Sequence, residues 1–331
     1  MFGILNRREM LRGTAATLLL PGILTSAHAG QVAEDPLLRY PWLAQWAGAD
    51  GLDAPWLRGV FQNLKKYPRV IRAMNHQAEA KPFYLYREHV TSPWLYKKGR
   101  EAWQQHRAML EAAGARYGVD APFVLALWGM ESRFGRNQGE HPVLRTLFTL
   151  AVDYPRRQTF FRQELRHFLI LCRQQGWDPM LLKGSYAGAM GHVQMIPSSL
   201  RYYAVDGDGD GRLDVFNNPM DATASIAHYL GKHGWELGGP YLIPVYGITD
   251  LSAIKSAKVK EMQPWSSWYA LGVRTRGEPP PAERAMALIA LEEQDGLRYY
   301  GVFNNFRVIL DWNRSTRFAK VVGELAEGFV L

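Results

Sequence analysis

Apolar residues recur at three- and four-residue spacing through most of this chain, and that period predicts amphipathic α-helices. The segments that show it are 56–75, 98–118, 122–135, 158–175, 219–232, 282–294 and 312–328. Residues 30–55 lack the period and are predicted to form an irregular N-terminal arm. The pattern indicates a mainly α protein.

The stretch 236–281 has a different character. It contains Gly238-Gly239-Pro240, a Tyr-Leu-Ile-Pro-Val-Tyr-Gly run, and Pro279-Pro280-Pro281 at its end. Clusters of Gly and Pro bound loops, and the run between them favours a strand. We therefore predict an α+β chain with a helical region at 30–235, a small β-rich insertion at 236–281, and C-terminal helices at 282–331 that complete the core.

Composition narrows the classes of protein. The chain has 331 residues, of which 47% are hydrophobic and 21% charged, which excludes disorder for most of it and supplies a large core. The single cysteine, Cys172, excludes an intramolecular disulfide and a Cys-rich zinc site. Its apolar neighbours favour a buried thiol over a nucleophile. The nine histidines form no HExxH motif, so zinc is not indicated.

The net charge of +8 fits either an ordinary basic surface or an anionic partner. No block of five basic residues and no nucleic-acid-binding signature accompanies it, so nucleic acid is not an expected partner.

The first 29 residues resemble an export signal. Arg7 and Arg8 precede a short apolar run at 14–25, and Ala27 and Ala29 form an A-x-A cleavage site. The paired arginines resemble a twin-arginine signal, and an ordinary secretory signal is the alternative. The run is too short to span a bilayer, and no cysteine is present for a lipid anchor. We expect a soluble periplasmic protein that begins near Gly30 and has no membrane anchor.

One predicted helix has clear start and stop signals. Asp120 is a suitable N-cap, Pro122 belongs in a first turn, and Gly135 is a suitable terminator. These signals bound the helix predicted over 122–135.

A carboxylate lies on the apolar face of that helix. Val124, Leu127, Trp128 and Glu131 follow one another at helical spacing. Burial and the negative end of the helix dipole both raise the pKa of such a glutamate, which suits a general acid. The alternative is a helix-end glutamate that pairs with Arg133, Arg136 or Arg145.

A loop rich in small residues spans 184–199 and reads Gly-Ser-Tyr-Ala-Gly-Ala-Met-Gly-His-Val-Gln-Met-Ile-Pro-Ser-Ser. Small residues allow a backbone to approach another element or a ligand closely. The loop lacks the GK[ST] ending of a phosphate-binding loop. Tight helix packing is the alternative.

Together these motifs resemble the lytic murein transglycosylase B family. The resemblance rests on Met-Glu-Ser-Arg-Phe-Gly at 130–135, on the small-residue loop, on Asp-Tyr-Pro-Arg-Arg at 153–157, and on the segment 305–315. It covers residues 35–331, and the motifs occur in the family's order.

The resemblance implies a lysozyme-like helical core and an enzyme that cleaves the β-1,4 bond between N-acetylmuramic acid and N-acetylglucosamine. It implies a 1,6-anhydromuramic acid product, for which one carboxylate suffices as acid and then base. Two-carboxylate glycosidases need a second acid, and the loop 184–199 supplies none. Peptidoglycan strands are the implied partner, with other cell-wall enzymes as possible partners, and no organic cofactor is implied.

The family's functional residues can be matched to positions in this chain. Glu131 matches the catalytic acid/base. The positions that match substrate-binding residues are Ser185, Gln194, Tyr229, Trp312, Asn313, Arg156 and Arg157. The arginine pair would hold carboxylates of the stem peptides, and a solvated helix start is its alternative.

Two positions depart from the family. Trp312 stands where the family has a tyrosine before Asn313, and Phe318 stands at a second tyrosine position. Both phenolic hydroxyls are therefore absent. We expect stacking on sugar to remain and hydrogen bonding at these positions to be lost.

The segment Asp206–Asp214 has acidic residues at positions 1, 3, 5 and 9 of an EF-hand loop and glycine at position 6. Asn217 replaces the usual closing glutamate, and Asp221 matches the closing aspartate of the family's longer loop. The predicted ligands of a structural Ca²⁺ are Asp206, Asp208, Asp210, the Arg212 carbonyl, Asp214 and Asp221. A metal-free loop held by Asx turns is the alternative.

Two other functions remain open at this point. One is a hydrolytic muramidase that delivers water to the same bond. The other is a catalytically silent peptidoglycan-binding or scaffold protein, which the loss of two tyrosines favours and the presence of Glu131, Ser185 and Gln194 disfavours.

Overall fold

The computed structural model describes residues 34–75, 81–248, 259 and 261–331. The export signal predicted at 1–29 lies outside these residues. Asp35–Leu331 forms one compact unit. Among the helices of the described ranges, none is long and apolar enough to cross a bilayer.

Helices account for most of this unit. Their bounds are α1 Pro36–Arg39, α2 Pro41–Ala44, α3 Ala54–Phe61, α4 Arg69–Asn75, α5 Phe83–Val90, α6 Pro93–Tyr117, α7 Ala121–Ser132, α8 Val143–Asp153, α9 Gln158–Gln175, α10 Pro197–Tyr203, α11 Pro219–Lys232, α12 Trp265–Ala270, α13 Asn304–Trp312 and α14 Thr316–Val330.

The centre of the main core is α7, which packs against α6, α11 and α14. Val124, Leu125 and Leu127 are inaccessible to solvent, so α7 is buried on nearly every side rather than along one apolar face. Asp120 occupies the N-cap position as predicted, but its carboxylate accepts hydrogen bonds from the Trp235 indole (2.8 Å) and the Gly238 amide instead of capping the helix.

A second part of the core is formed by α8, α9 and α10. Cys172 lies within α9 and is buried, as predicted, and burial raises the pKa of its thiol to about 12. Strand β1 (His141–Pro142) pairs antiparallel with β2 (Lys183–Gly184). This pairing joins the segment that follows α7 to the start of the small-residue loop.

The remaining strands are β3 Leu242–Tyr246, β4 Gln263–Pro264, β5 Arg274–Thr275, β6 Ala285–Glu293 and β7 Gly296–Val302. They form one antiparallel sheet in the order β4-β6-β7-β3-β5. Met286 and Leu288 pack with α12 in a small second core, whereas Ile289 and Leu291 face the main core. The sheet is therefore buried on both faces along β6.

The helix predicted at 282–294 is wrong, because this segment contains strand β6. Its sequence, AMALIALEE, is rich in residues that favour helices. A strand that is buried on both faces shows no alternation of apolar and polar residues, so periodicity could not identify it. The sheet predicted for 236–281 consequently extends to residue 302, and 282–331 is not purely helical.

Two other predicted helices are each divided in two. The segment 56–75 separates into α3 and α4, and Pro68 disfavours helical backbone at the residue before it. The segment 312–328 contains the end of α13 and most of α14, which begins after Ser315, whose hydroxyl accepts from the Phe318 amide. The helix predicted over 122–135 ends at Ser132.

Candidate active site

Glu131 lies in the last turn of α7, next to an unusual stretch of backbone. Arg133, Phe134 and Gly135 all have positive φ, at 51°, 59° and 82°. Non-glycine residues adopt this conformation at a cost of about 1–3 kcal/mol each, and such strain concentrates at functional sites. The chain therefore turns sharply away from the helix directly after the carboxylate.

Close packing beneath α7 holds this turn in place. A Cβ atom on Gly129 would lie 2.7 Å from the Phe134 ring and 3.2 Å from the Phe329 ring. A Cβ on Gly99 in α6 would lie 2.1 Å from Phe329. Glycine at both positions lets α14 approach α6 and α7, and the Phe134 ring is part of the same packed layer.

The arginines that could have paired with Glu131 have other partners within the described chain. Arg133 and Arg136 lie over the Trp94 ring, and Arg145 donates to the Lys65 and Lys66 carbonyls. Glu131 is therefore not the paired helix-end glutamate that the sequence left open.

Glu131 accepts a hydrogen bond from Trp312. The indole Nε1–H donates to Oε1 of Glu131 at 2.7 Å. Burial raises the pKa of Glu131 to about 7, and the Trp312 hydrogen bond opposes part of that rise. A carboxylic acid of this kind is half protonated near neutral pH, as a general acid requires.

The expectation that hydrogen bonding is lost at position 312 is wrong, because the indole supplies a donor.

Tyr229, which was predicted to contact the glycan, is 7% exposed. Its ring meets Trp312 edge to face, and its hydroxyl donates to the Asp311 carbonyl. Burial raises the pKa of Tyr229 well above its usual range. Phe318 lies in the main core.

The small-residue loop packs beside the end of α7. Ser185 Oγ accepts from the Ala187 and Ala189 amides, which leaves its hydroxyl proton for a further acceptor. Gln194, with φ of 46°, donates its side-chain amide to the Gln138 and Gly191 carbonyls at 3.0 and 2.9 Å. Both amide protons are therefore occupied, and Oε1 is the group that can accept from a ligand.

Glu131, Ser185 and Gln194 share one open pocket of about 460 Å³. The other lining residues are Arg136, Asn137, Gln138, Gly139, Glu140, His141 and Tyr186. The structure thus brings together three of the predicted site residues: Ser185 and Gln194, which share one loop, lie 54 and 63 positions after Glu131 in the sequence.

Tyr86 is a residue near this site that sequence reasoning missed. Burial raises the pKa of Tyr86 to about 12, and the negative charge of Glu131 adds to that rise. The Arg317 guanidinium lies over the Tyr86 ring. Tyr86 is located in α5, a helix that the periodicity did not predict, so no signal in the sequence indicated its place.

Three predicted site residues have other surroundings. Asn313 is exposed at the C-terminal end of α13. Arg156 and Arg157 are exposed at the start of α9, outside the lining of the pocket that contains Glu131. Arg157 lies 4.0 Å from the centroid of the Phe160 ring. The contact with stem peptides stays a prediction.

The Asp/Gly loop brings oxygen ligands together. Carboxylate oxygens of Asp206, Asp208 and Asp210 lie within 4.8 Å of one another. The Asp214 carboxylate accepts a hydrogen bond from the Phe216 amide. Asp221 is fully buried, and its carboxylate accepts from the Gly207 and Asp214 amides. Three like charges at this separation and oxygen-only donors fit a hard cation such as Ca²⁺.

The site as a whole has one acid with a raised pKa, held at the end of a buried helix and open to a polar cleft. This is the arrangement of lysozyme-like enzymes, in which such a carboxylic acid protonates a glycosidic oxygen.

Comparison with known proteins identifies the particular family. A model of the transglycosylase SLT domain matches residues 40–327, and the chain belongs to this family. It is 33% identical over 324 residues to membrane-bound lytic murein transglycosylase B of Escherichia coli K12. The aligned residues make up 95% of this chain and 88% of the relative.

Solved structures agree with that assignment. The chain matches lytic transglycosylase Slt35 of Escherichia coli, in complex with calcium, with a TM-score of 0.80 and 31% identity over 91% of this chain and 94% of that one. It matches SltB3 of Pseudomonas aeruginosa, in complex with NAG-anhNAM-pentapeptide, with a TM-score of 0.77 and 35% identity over 87% and 77%. The predicted lysozyme-like fold and transglycosylase family are thereby confirmed.

Proposed function

We propose that this protein is a peptidoglycan lytic transglycosylase in which Glu131 alone serves as acid and base. The scissile bond is the β-1,4 bond between N-acetylmuramic acid and N-acetylglucosamine, and the product ends in 1,6-anhydromuramic acid. The observation that carries the proposal is that Glu131, whose pKa burial raises to about 7, lines a polar pocket together with Ser185 and Gln194.

The reaction needs two proton transfers at one carboxyl group. Protonated Glu131 gives its proton to the glycosidic oxygen as the bond from that oxygen to C1 breaks, and the bonding electrons stay on the oxygen. The C6 hydroxyl oxygen of muramic acid then attacks C1, and its proton passes to the Glu131 carboxylate. The acid is regenerated, and water is not consumed.

Ser185 and Gln194 support this reaction by their hydrogen-bonding capacity. The Ser185 hydroxyl can donate to a sugar or acetamido oxygen, and the Gln194 Oε1 can accept from a sugar hydroxyl or amide. Their own backbone bonds hold both side chains in place before a substrate arrives. Such pre-organisation lowers the cost of orienting the glycan.

One observation favours a second candidate, a hydrolytic muramidase. Glu140 lines the same pocket as Glu131, and a second carboxylate is what an enzyme needs to activate water. Glu140 is exposed, so its surroundings resemble those of an ordinary surface carboxylate.

Digestion of purified sacculi by the protein, followed by mass spectrometry, separates these functions. We expect anhydromuropeptides from the wild type and from Glu140→Gln, and none from Glu131→Gln. Products heavier by one water that disappear in Glu140→Gln would establish hydrolysis. A wild type that binds sacculi and releases nothing would show a binding protein.

We also propose that the Asp/Gly loop binds Ca²⁺ as a structural ion. The candidate ligands are Asp206, Asp208, Asp210, the Arg212 carbonyl and Asp214, with Asp221 at the closing position. Bound Ca²⁺ would neutralise the carboxylates that now lie within 4.8 Å of one another. The neighbouring Phe216 carbonyl accepts from Gln138 at 2.8 Å, which connects the loop to the wall of the active-site pocket.

The proposed place of action is the periplasm. The export signal expected at 1–29 and a murein substrate agree with that location. Glycan strands are the proposed partner, and a basic chain of net charge +8 suits an acidic polymer. Association with other cell-wall enzymes remains a prediction from family resemblance.

A further inference from the structure

The two oxygens of Glu131 have unequal surroundings. Oε1 accepts the indole N–H of Trp312 at 2.7 Å. An indole nitrogen is a donor only, whereas a phenolic hydroxyl both donates and accepts. A tyrosine in this place could turn its hydroxyl to suit either protonation state of the carboxyl group. Tryptophan has no such freedom.

Contacts hold both the Trp312 ring and the backbone next to it. The Tyr229 ring meets it edge to face with centroids 4.9 Å apart. The Tyr229 hydroxyl bonds the carbonyl of Asp311, the residue before Trp312, at 2.8 Å. Asp311 in turn pairs with Arg307 one turn earlier on α13 at 2.6 Å. Because these contacts restrict the ring and the backbone, the N–H direction is set before substrate binds.

We propose that Trp312 is a positioning residue which keeps Oε1 of Glu131 as the unprotonated oxygen and so leaves Oε2 to carry the acid proton. Oε1 receives the indole N–H in both states of the acid. Oε2 gives the proton to the glycosidic oxygen and later receives the proton of the C6 hydroxyl. The inference rests on the proposed role of Glu131 and adds which oxygen performs it.

The hydrogen bond from Trp312 favours the ionised form of Glu131. It therefore lowers the pKa of Glu131, whereas burial raises it. Removing the donor should therefore raise the pH at which Glu131 ionises. The other titratable or charged groups on the elements around Glu131 are Tyr86, Arg133, Arg136, Glu140, His141, Tyr186 and Arg317. A substitution at Trp312 removes none of them.

The test compares Trp312→Phe, Trp312→Tyr and the wild type in two measurements. The first is the ionisation of Glu131, followed by NMR of protein with ¹³C-labelled glutamate carboxyls, with Glu131→Gln to assign the signal. We expect the midpoint to rise by about one pH unit in Trp312→Phe and by less in Trp312→Tyr. An unchanged midpoint in Trp312→Phe would overturn the proposal.

The second measurement is the rate of anhydromuropeptide release at pH 5, where Glu131 is protonated in every variant. We expect Trp312→Phe to lower kcat about tenfold with little change in KM, because the acid proton is no longer confined to one oxygen. A full rate at pH 5 would mean that Trp312 adjusts ionisation without positioning the acid, and would overturn the positioning role.

Trp268 offers a matched control. It is a buried tryptophan whose indole donates to the Met286 carbonyl at 2.9 Å, whereas Trp312 is partly buried and donates to a carboxylate. Trp268 lies in the small second core. Trp268→Phe should leave the Glu131 midpoint unchanged, and a similar shift there would show that the effect is general loss of packing. Activity in Glu131→Gln would instead overturn the proposed function, independently of the NMR result.

Discussion

The Tyr229 ring packs edge to face against Trp312, with ring centroids 4.9 Å apart and an interplanar angle of 75°. Tyr229 belongs to α11 and Trp312 ends α13, so this contact connects α11 to the residue that donates to Glu131. The Tyr229 ring also stacks on the His233 ring, with centroids 3.9 Å apart. A residue that resemblance assigned to the glycan therefore also supports the residue that binds Glu131.

The support given by Tyr229 can be measured by substitution. Tyr229→Phe keeps the ring and loses one hydrogen bond, which should cost about 1 kcal/mol of unfolding free energy and leave most of the activity. Tyr229→Ala should cost about 3–5 kcal/mol and lower kcat as Trp312 loosens. Chemical unfolding and sacculus digestion check both values, and equal activity in the two variants would contradict the supporting role.

The activity should depend on pH through Glu131. The proposed reaction begins with the protonated acid, whose pKa burial raises to about 7. We expect kcat/KM to be constant below that pH and to fall about tenfold per pH unit above it. Initial rates on sacculi from pH 5 to pH 9 would show this, with binding to sacculi measured in parallel. A rate that rises through pH 7 would argue for an ionised base as the starting state.

The same pKa has a consequence for stability. Because the folded state raises the pKa of Glu131 from 4.5 to about 7, folding retains a proton that the unfolded chain releases. Stability from this group is complete below about pH 4.5 and is lost as the pH rises through 7, by up to about 3 kcal/mol.

Glu131→Gln removes that dependence, and its amide oxygen can still accept from Trp312. We expect the variant to be more stable than the wild type at pH 8, with a smaller difference at pH 5. Urea unfolding at the two pH values measures this. The same difference at both would mean that Glu131 ionises normally in the folded protein.

Glycine at position 129 should be needed for both folding and activity. Gly129→Ala places a methyl group against Phe134 and Phe329, and such overpacking costs about 1–3 kcal/mol. Displacement of Phe134 also disturbs the strained turn after Glu131, so kcat should fall. The matched change is Gly59→Ala, on an exposed part of α3 with open space around it.

Gly59→Ala should stabilise the protein by up to about 1 kcal/mol, through helix propensity, and leave activity unchanged. Thermal unfolding and digestion of sacculi test the pair. If Gly129→Ala behaves like Gly59→Ala, the packing of α7 against α14 is looser than the structure indicates.

Calcium should raise the melting temperature of the protein. A ligand that binds only the folded state at 100 to 1,000 times its Kd adds about 3–4 kcal/mol. We expect a higher Tm in millimolar CaCl₂ than in EDTA, and a much smaller difference for Asp208→Asn. Glu278→Gln, an exposed change of the same charge outside the loop, should respond like the wild type. An equal Tm in CaCl₂ and EDTA would exclude a structural ion.

Local signals accounted for much of what was predicted correctly. The start of α7 follows from Asp120 and Pro122, and the Asp/Gly loop follows from ligand spacing, because both features involve residues within one short segment. The apolar surroundings of Glu131 could be predicted because its apolar neighbours lie on the same helix, and its catalytic role stays a proposal. Local patterns failed at β6, where burial on two faces removes the alternation that identifies a strand.

What the amino-acid sequence determined by itself was the helix that carries the acid, the loop of carboxylates, and, through resemblance, the family. What only the tertiary structure decided was the partner of the acid. Trp312 and Glu131 are separated by 181 positions, and their hydrogen bond depends on the packing of α7, α11 and α13. A donor 2.7 Å from an oxygen is a property of folded geometry, and neither side chain specifies it alone.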